Sequence, residues 1–143
     1  MSKGGAQIPS EEVGRRLVAK SPVLQWLGAE IVVMQPGHCH LAMMVRPDHT
    51  NVIGTMHGGI VFTLADAAFG FAQSCRNERI VSADAEIRFL APAKAGQRLE
   101  AEAKEIWRRE PHALMDVEVR QGGHVIALVR GRTRALGEPH FSE

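Results

Sequence analysis

The apolar positions of the chain change their spacing as it proceeds, and each spacing predicts a different element. Ser10 followed by Glu11 and Glu12 reads as an N-cap with acids in the first turn, where the helix dipole favours them; it predicts a short helix to about Lys20, stopped by Pro22. SPVLQWLG predicts a second short turn carrying Trp26. The β-branched stretch AEIVVMQ then predicts a strand ending at the Pro36-Gly37 turn, with HCHLAMMVR returning as its hairpin partner. PDHTNVIGTM is rich in turn formers and predicts a loop, which delivers the chain to a long apolar helix from His57 to about Arg76. Beyond that helix the period drops to two. Val81, Ala83, Ala85, Ile87 and Phe89 alternate with Ser82, Asp84, Glu86 and Arg88, the signature of a half-buried strand. RLEAEAKEIWRRE alternates too and is read as a strand, although Ala and Glu suit a helix. Met115, Val117 and Val119 alternate with Asp116, Glu118 and Arg120, and Gly122-Gly123 turns the chain into the last strand, HVIALVRGRTRAL.

The predicted order is helix, two strands, one long helix, then four consecutive antiparallel strands linked as hairpins. Such strands have one apolar face that must be covered, and the long helix is the only element large enough to cover it. The expected class is therefore α+β, an antiparallel sheet wrapped around a central helix. That helix carries Ile60, Val61, Phe62, Leu64, Phe69 and Phe71 on all its sides, whereas one sheet covers only one side. A second subunit, related by a two-fold axis, is expected to cover the rest.

Composition narrows the setting. With 143 residues the chain is one domain's worth. A formal charge of +1 with 23% charged residues sets up no strong field, which argues against nucleic acid or an anionic membrane as partner. MSKGGAQIPSEE has no apolar signal core, and the longest greasy run is broken by Asp66 well short of a membrane span, so a cytoplasmic location is expected. Cys39 and Cys75 lack CxxC spacing and read as reduced thiols. His38 and His40 share a strand face but have no third ligand at a telling spacing, so no metal is assigned. Arg130, Arg132 and Arg134 share a face that is read as a solvated coat rather than a phosphate site.

Asp66 is the residue that demands chemistry. An aspartate in the middle of an apolar helix either faces water or belongs to a site that uses its charge, since dehydrating it costs several kcal/mol. At the start of the same helix, Gly58 and Gly59 leave unpartnered backbone N–H groups open to close approach, and the dipole there favours negative charge.

NVIGTMHGGIVFTLADAAFGFA, followed by VSADAEIRFLAPAKAGQRLEAEA, resembles the hotdog-fold acyl-CoA thioesterases of the phenylacetic-acid-degradation (PaaI-type) group, within the 4-hydroxybenzoyl-CoA thioesterase superfamily. The likeness runs from about Ala29 to Leu136, and its most specific features are Asn51, the HGG at residues 57–59 and the aspartate nine residues after the histidine. It implies a hotdog domain over residues 28–137, between an N-terminal helical segment (1–27) and a short tail (138–143). It implies a homodimer or homotetramer with shared sites, the aspartate coming from one subunit and the HGG turn from the other. It implies no cofactor.

By the same resemblance Asp66 is the general base or the nucleophile, and Gly58, with Gly59, holds the thioester oxygen. Asn51 helps to bind the carbonyl or positions its own loop, and His57 orients the substrate or the helix start; a place at a helix N-terminus disfavours its protonation, so a neutral imidazole is expected. Ser82 matches a strand serine that holds the attacking water in some relatives. Phe62, Thr63 and Ala67 line the substrate. Ala67 departs from the pattern, because PaaI-type enzymes often carry threonine directly after the aspartate, and a hydroxyl is thereby lost from the pocket. An acyl-CoA hydratase and a non-catalytic acyl-CoA-binding regulator are the alternatives on such a fold.

Overall fold

A computed structural model describes residues 7–142; the chain start through residue 6 lies outside the described residues. Two helices come first, α1 (Ser10–Lys20) and α2 (Pro22–Leu27). Pro9 rather than Ser10 occupies the N-cap of α1, so no side chain caps it. Pro22 begins α2 as well as ending α1, because proline fits a first helical position, and the Ser21 hydroxyl accepts the Leu24 N–H there. The hairpin of β1 (Glu30–Gln35) and β2 (His38–Met44) follows. A single 3-10 turn at Pro47–His49 and a loop lead to α3 (Gly58–Ser74), which has His57 as its N-cap and ends two residues short of the expected Arg76. The remaining strands are β3 (Ile80–Phe89), β4 (Arg98–Arg109), β5 (His112–Gln121) and β6 (His124–Ala135).

All six strands form one antiparallel sheet in the order β1-β2-β4-β5-β6-β3. The expectation of four hairpin-linked strands fails at β3, which pairs with β6 at the far edge instead of with β4. Alternation reports which face a side chain takes and is silent about the lateral neighbour. Residues 90–97 make the crossover from the edge to the middle of the sheet. They are pinned by Leu90 N–H to Ile126 O (2.8 Å), Met56 N–H to Ala93 O (2.9 Å) and Gly96 N–H to Val45 O (2.8 Å). The buried Gln121 side chain grips the same segment, accepting from Lys94 N–H at 2.7 Å and donating to Lys94 O at 2.9 Å.

The inner face of the sheet presents Leu41, Met43, Leu99, Ala101, Ala103, Met115, Val117 and Val119, all buried against α3. Alanines on β4 let the helix come close. Phe69 fills the centre, and Gly131 exists to seat it: a Cβ there would stand 2.8 Å from the Phe69 ring. Burial of such a side chain is worth about 1.5–3 kcal/mol. On its other side α3 is uncovered. Gly59, Phe62, Thr63, Asp66 and Ala67, spaced i, i+3, i+4, i+7, i+8, form one stripe that stays partly or fully exposed. Edge strand β3 beside it is likewise exposed along most of its length. No helix among the described residues is long and apolar enough to cross a membrane.

Candidate active site

The start of α3 is built by its own cap. His57 Nδ1 accepts the Gly59 N–H at 3.0 Å, and the His57 carbonyl accepts from Ile60 at 2.9 Å and Val61 at 3.1 Å. A ring nitrogen that accepts carries no proton, so this bond leaves Nε2 as the donor nitrogen of the ring. Gly59 is therefore occupied, and the N–H of Gly58 is the one amide of this first turn without a partner among the described residues. The Phe89 ring stands over it. A Cβ on Gly58 would lie 3.0 Å from Phe89 Cζ, so glycine keeps the donor open while the ring walls it. The sequence placed Phe89 on the apolar face of β3 without linking it to Gly58, because only the fold brings the end of that strand to the start of the helix.

Asn51 shapes the preceding loop. Its Oδ1 accepts from Ile53 N–H (3.1 Å) and Thr55 N–H (3.2 Å), and its Nδ2 donates to Thr55 Oγ1 at 3.0 Å. Of the two roles the resemblance implied for Asn51, loop positioning is the one these bonds serve. Val52 and Ile53 are left exposed at the loop tip.

Asp66 is half-buried on the open stripe, and Ser82 Oγ donates to its Oδ1 at 3.1 Å. Burial pushes the carboxyl above the usual carboxylate range, and the Ser82 bond pulls the other way. Strict alternation would have turned Ser82 outward with Asp84, Glu86 and Arg88. The register slips between Ser82 and Asp84, which oppose Thr133 and Arg132, so Ala83 is an extra residue and the phase resets. Ser82 thus joins the inner face with buried Thr133, and Val81 takes the outer one. Thr63 Oγ1 donates back to Gly59 O at 2.8 Å, which anchors it to its own helix.

Asp66 and Ser82 meet within one chain, and so do His57, Gly58, Gly59 and Phe89. The two groups do not meet, since eight residues of helix separate Gly58 from Asp66 by about 12 Å. A cavity of about 450 Å³ lies beside the crossover, lined by Pro92, Lys94, Gln97 and His124, and one of about 410 Å³ lies by Cys75 and Arg76; neither is lined by Asp66 or His57.

The remaining polar groups have other duties. Arg130 pairs with Asp116 through two bonds of 2.7 and 2.9 Å, and Arg132 with Asp84 at 2.9 Å, which is the solvated coat expected of that face. His38 is bonded to Glu102 at 2.8 Å across neighbouring strands. Cys39 and Cys75 are both free and buried, and burial drives both thiols upward from their ordinary range.

Comparison with known proteins bears on this arrangement. The family model described as the thioesterase superfamily matches residues 53–127, the span that holds the helix start, Asp66 and Ser82. The chain belongs to the thioesterase superfamily. Among its superfamily relatives, a putative esterase of Archaeoglobus fulgidus is 30% identical over 129 residues, covering 90% of this chain and 84% of the relative. The acyl-coenzyme A thioesterase PaaI of Escherichia coli is 33% identical over 112 residues, covering 78% and 80% of the two chains. The solved structure of that PaaI protein superposes with a TM-score of 0.89 over 94% of this chain and 99% of its own, at 26% identity across that longer alignment. The sheet and its long central helix are thus the hotdog fold.

Proposed function

We propose that this superfamily member hydrolyses the thioester of aryl- or medium-chain acyl-coenzyme A, phenylacetyl-CoA being the type of substrate, to the free acid and coenzyme A. One observation carries the reading: a half-buried carboxylate bonded to a strand serine lies on the uncovered stripe of the same helix whose first turn holds a free amide, that of Gly58. The face lies open beside an exposed sheet edge, and its two halves are too far apart to act on one carbonyl. A second copy across this face brings Asp66 of one subunit to the Gly58 of the other, making a homodimer, or a homotetramer of two such pairs.

In that site the Gly58 N–H and the helix dipole hold the thioester oxygen as it gains negative charge. Asp66 either takes a proton from a water that attacks the carbonyl carbon, or attacks it directly to form a mixed anhydride that water then opens. In both routes the carbon–sulfur bond breaks and its electron pair leaves on sulfur. A thiol with a pKa of about 8.5 departs readily as thiolate, so no strong general acid is needed. Ser82 orients the carboxylate and the water beside it. Phe62, Thr63 and Ala67 face the acyl group, and with Ala67 in place of threonine the stripe offers little reward for a ring hydroxyl.

The test is release of free thiol from a panel of acyl-CoA esters, read with a thiol-reactive dye. Release with aryl or medium-chain esters is the expected result. Addition of water without thiol release would instead identify a hydratase, and saturable binding with neither reaction a regulator.

A further inference from the structure

His49, at the end of the 3-10 turn, is fully buried and is tied to three parts of the molecule. Its Nδ1 accepts the N–H of Arg46, just beyond β2, at 2.9 Å, and its own N–H donates to Arg46 O at 3.0 Å. Its ring meets the Trp26 indole of α2 edge-on, with centroids 5.0 Å apart and planes at 83°. Arg46 closes the third side, with its guanidinium 5.7 Å over the same indole and Nη2 donating to Trp26 O at 2.8 Å. The carbonyl of His49 accepts the N–H of His57 at 2.8 Å. That bond fixes the residue whose side chain and carbonyl cap α3, immediately before the free Gly58 amide.

The bonding pattern admits one form of the ring. Nδ1 accepts, so the proton is on Nε2, and Nε2 is buried with no nitrogen or oxygen partner among the described residues. The Trp26 indole packed at right angles against the ring leaves that side of His49 apolar. Either a second proton or the other tautomer would set an Nδ1–H against the Arg46 N–H. The ring bond would be lost, and with it one of the two bonds to Arg46 that hold the backbone whose carbonyl meets His57.

Resting on the thioesterase reading, we propose that His49 is a positioning residue for the site: held as its Nε2–H tautomer, it seats the first turn of α3 through its own carbonyl and so aims the Gly58 amide. It touches no substrate. Its effect is therefore on the chemical step rather than on coenzyme A binding.

Two variants and one spectrum test this. His49→Asn keeps an acceptor where Nδ1 stands, whereas His49→Leu removes it. With an acyl-CoA substrate, His49→Leu is expected to lower kcat on the order of ten- to a hundred-fold with KM within about three-fold, as for a slightly misplaced donor, and His49→Asn to recover most of that loss. Nitrogen-15 spectra of the histidine-labelled wild-type protein at neutral pH should show His49 as the Nε2–H tautomer, and exchange of the His57 amide should be slow in the wild type and the Asn variant. A Leu variant with wild-type kcat, an Nδ1–H tautomer, or a folded Asn variant as impaired as the Leu variant would each overturn the proposal. If His49→Leu fails to fold, the Asn variant and the tautomer decide it. Should the wild type release no thiol from any ester, the thioesterase reading fails by itself, and the tautomer and His57 exchange still judge the positioning.

Discussion

Asp66 carries two opposed influences that separate its variants. Burial raises its pKa and the Ser82 hydroxyl lowers it, so the folded protein holds the carboxylate at some cost at neutral pH. That cost shrinks as the pH falls through the raised folded pKa and is gone below the ordinary value of about 3.9, where folded and unfolded chains are both protonated. Asp66→Asn should therefore melt no lower than wild type near neutrality, and higher if the charge is costly, while turnover falls by about a hundred-fold or more because an amide neither takes a proton nor attacks. Calorimetry and steady-state rates check the two halves. Ser82→Ala removes the influence that lowers the pKa, so the acid limb of the pH–rate profile should move to higher pH; an unmoved limb would detach Ser82 from the reacting carboxylate. At this scale the sequence made Asp66 and the HGG turn legible through rarity, an acid amid apolar residues and glycines at a helix start. It did not reveal His49, because a histidine among turn formers looks solvated until the fold buries it.

Among elements, the contact of β3 with α3 decides the shape of the site. Gly58 has no left-handed backbone requirement, so its glycine answers to the space under Phe89 alone. Gly58→Ala should cut turnover on the order of ten- to a hundred-fold by crowding the amide donor, and Phe89→Leu in the same chain should return part of it. Rates for the four combinations measure the coupling; independent effects would show that the ring does not bound the donor. The strands themselves were readable from alternation, including Ala- and Glu-rich β4. The lateral place of β3 and the extra residue at Ala83 were not, since both depend on the partner strand. That one residue is why the face of Ser82 was misread while Ile87 and Phe89 were placed correctly.

For the whole molecule, an α3 that was apolar on every side pointed to a partner from the sequence alone, and in the proposed assembly the second copy covers the exposed stripe from Gly59 to Ala67. Light scattering of the active protein should give a dimer or tetramer and no active monomer. Asp66→Asn and Gly58→Pro should each be inactive alone. Proline suits the first position of a helix but lacks the N–H, so it removes the donor and spares the fold. Exchanged in equal amounts, the two should regain roughly a quarter of wild-type turnover, because random pairing makes half the dimers mixed and each mixed dimer has one whole site. No recovery after proven exchange would place both groups of a site on one chain.

The grip of Gln121 on Lys94 has a consequence for how this molecule tolerates change. A primary amide sets N–H donors beside a carbonyl acceptor, as a peptide unit does, so Gln121 acts as a strand one residue long that zips the crossover to the β5–β6 hairpin. Both bonds run to the main chain of Lys94. The identity of the side chain at that position is thereby uncoupled from the attachment of the segment, and the crossover can drift in charge and size while the two halves of the sheet stay sewn together.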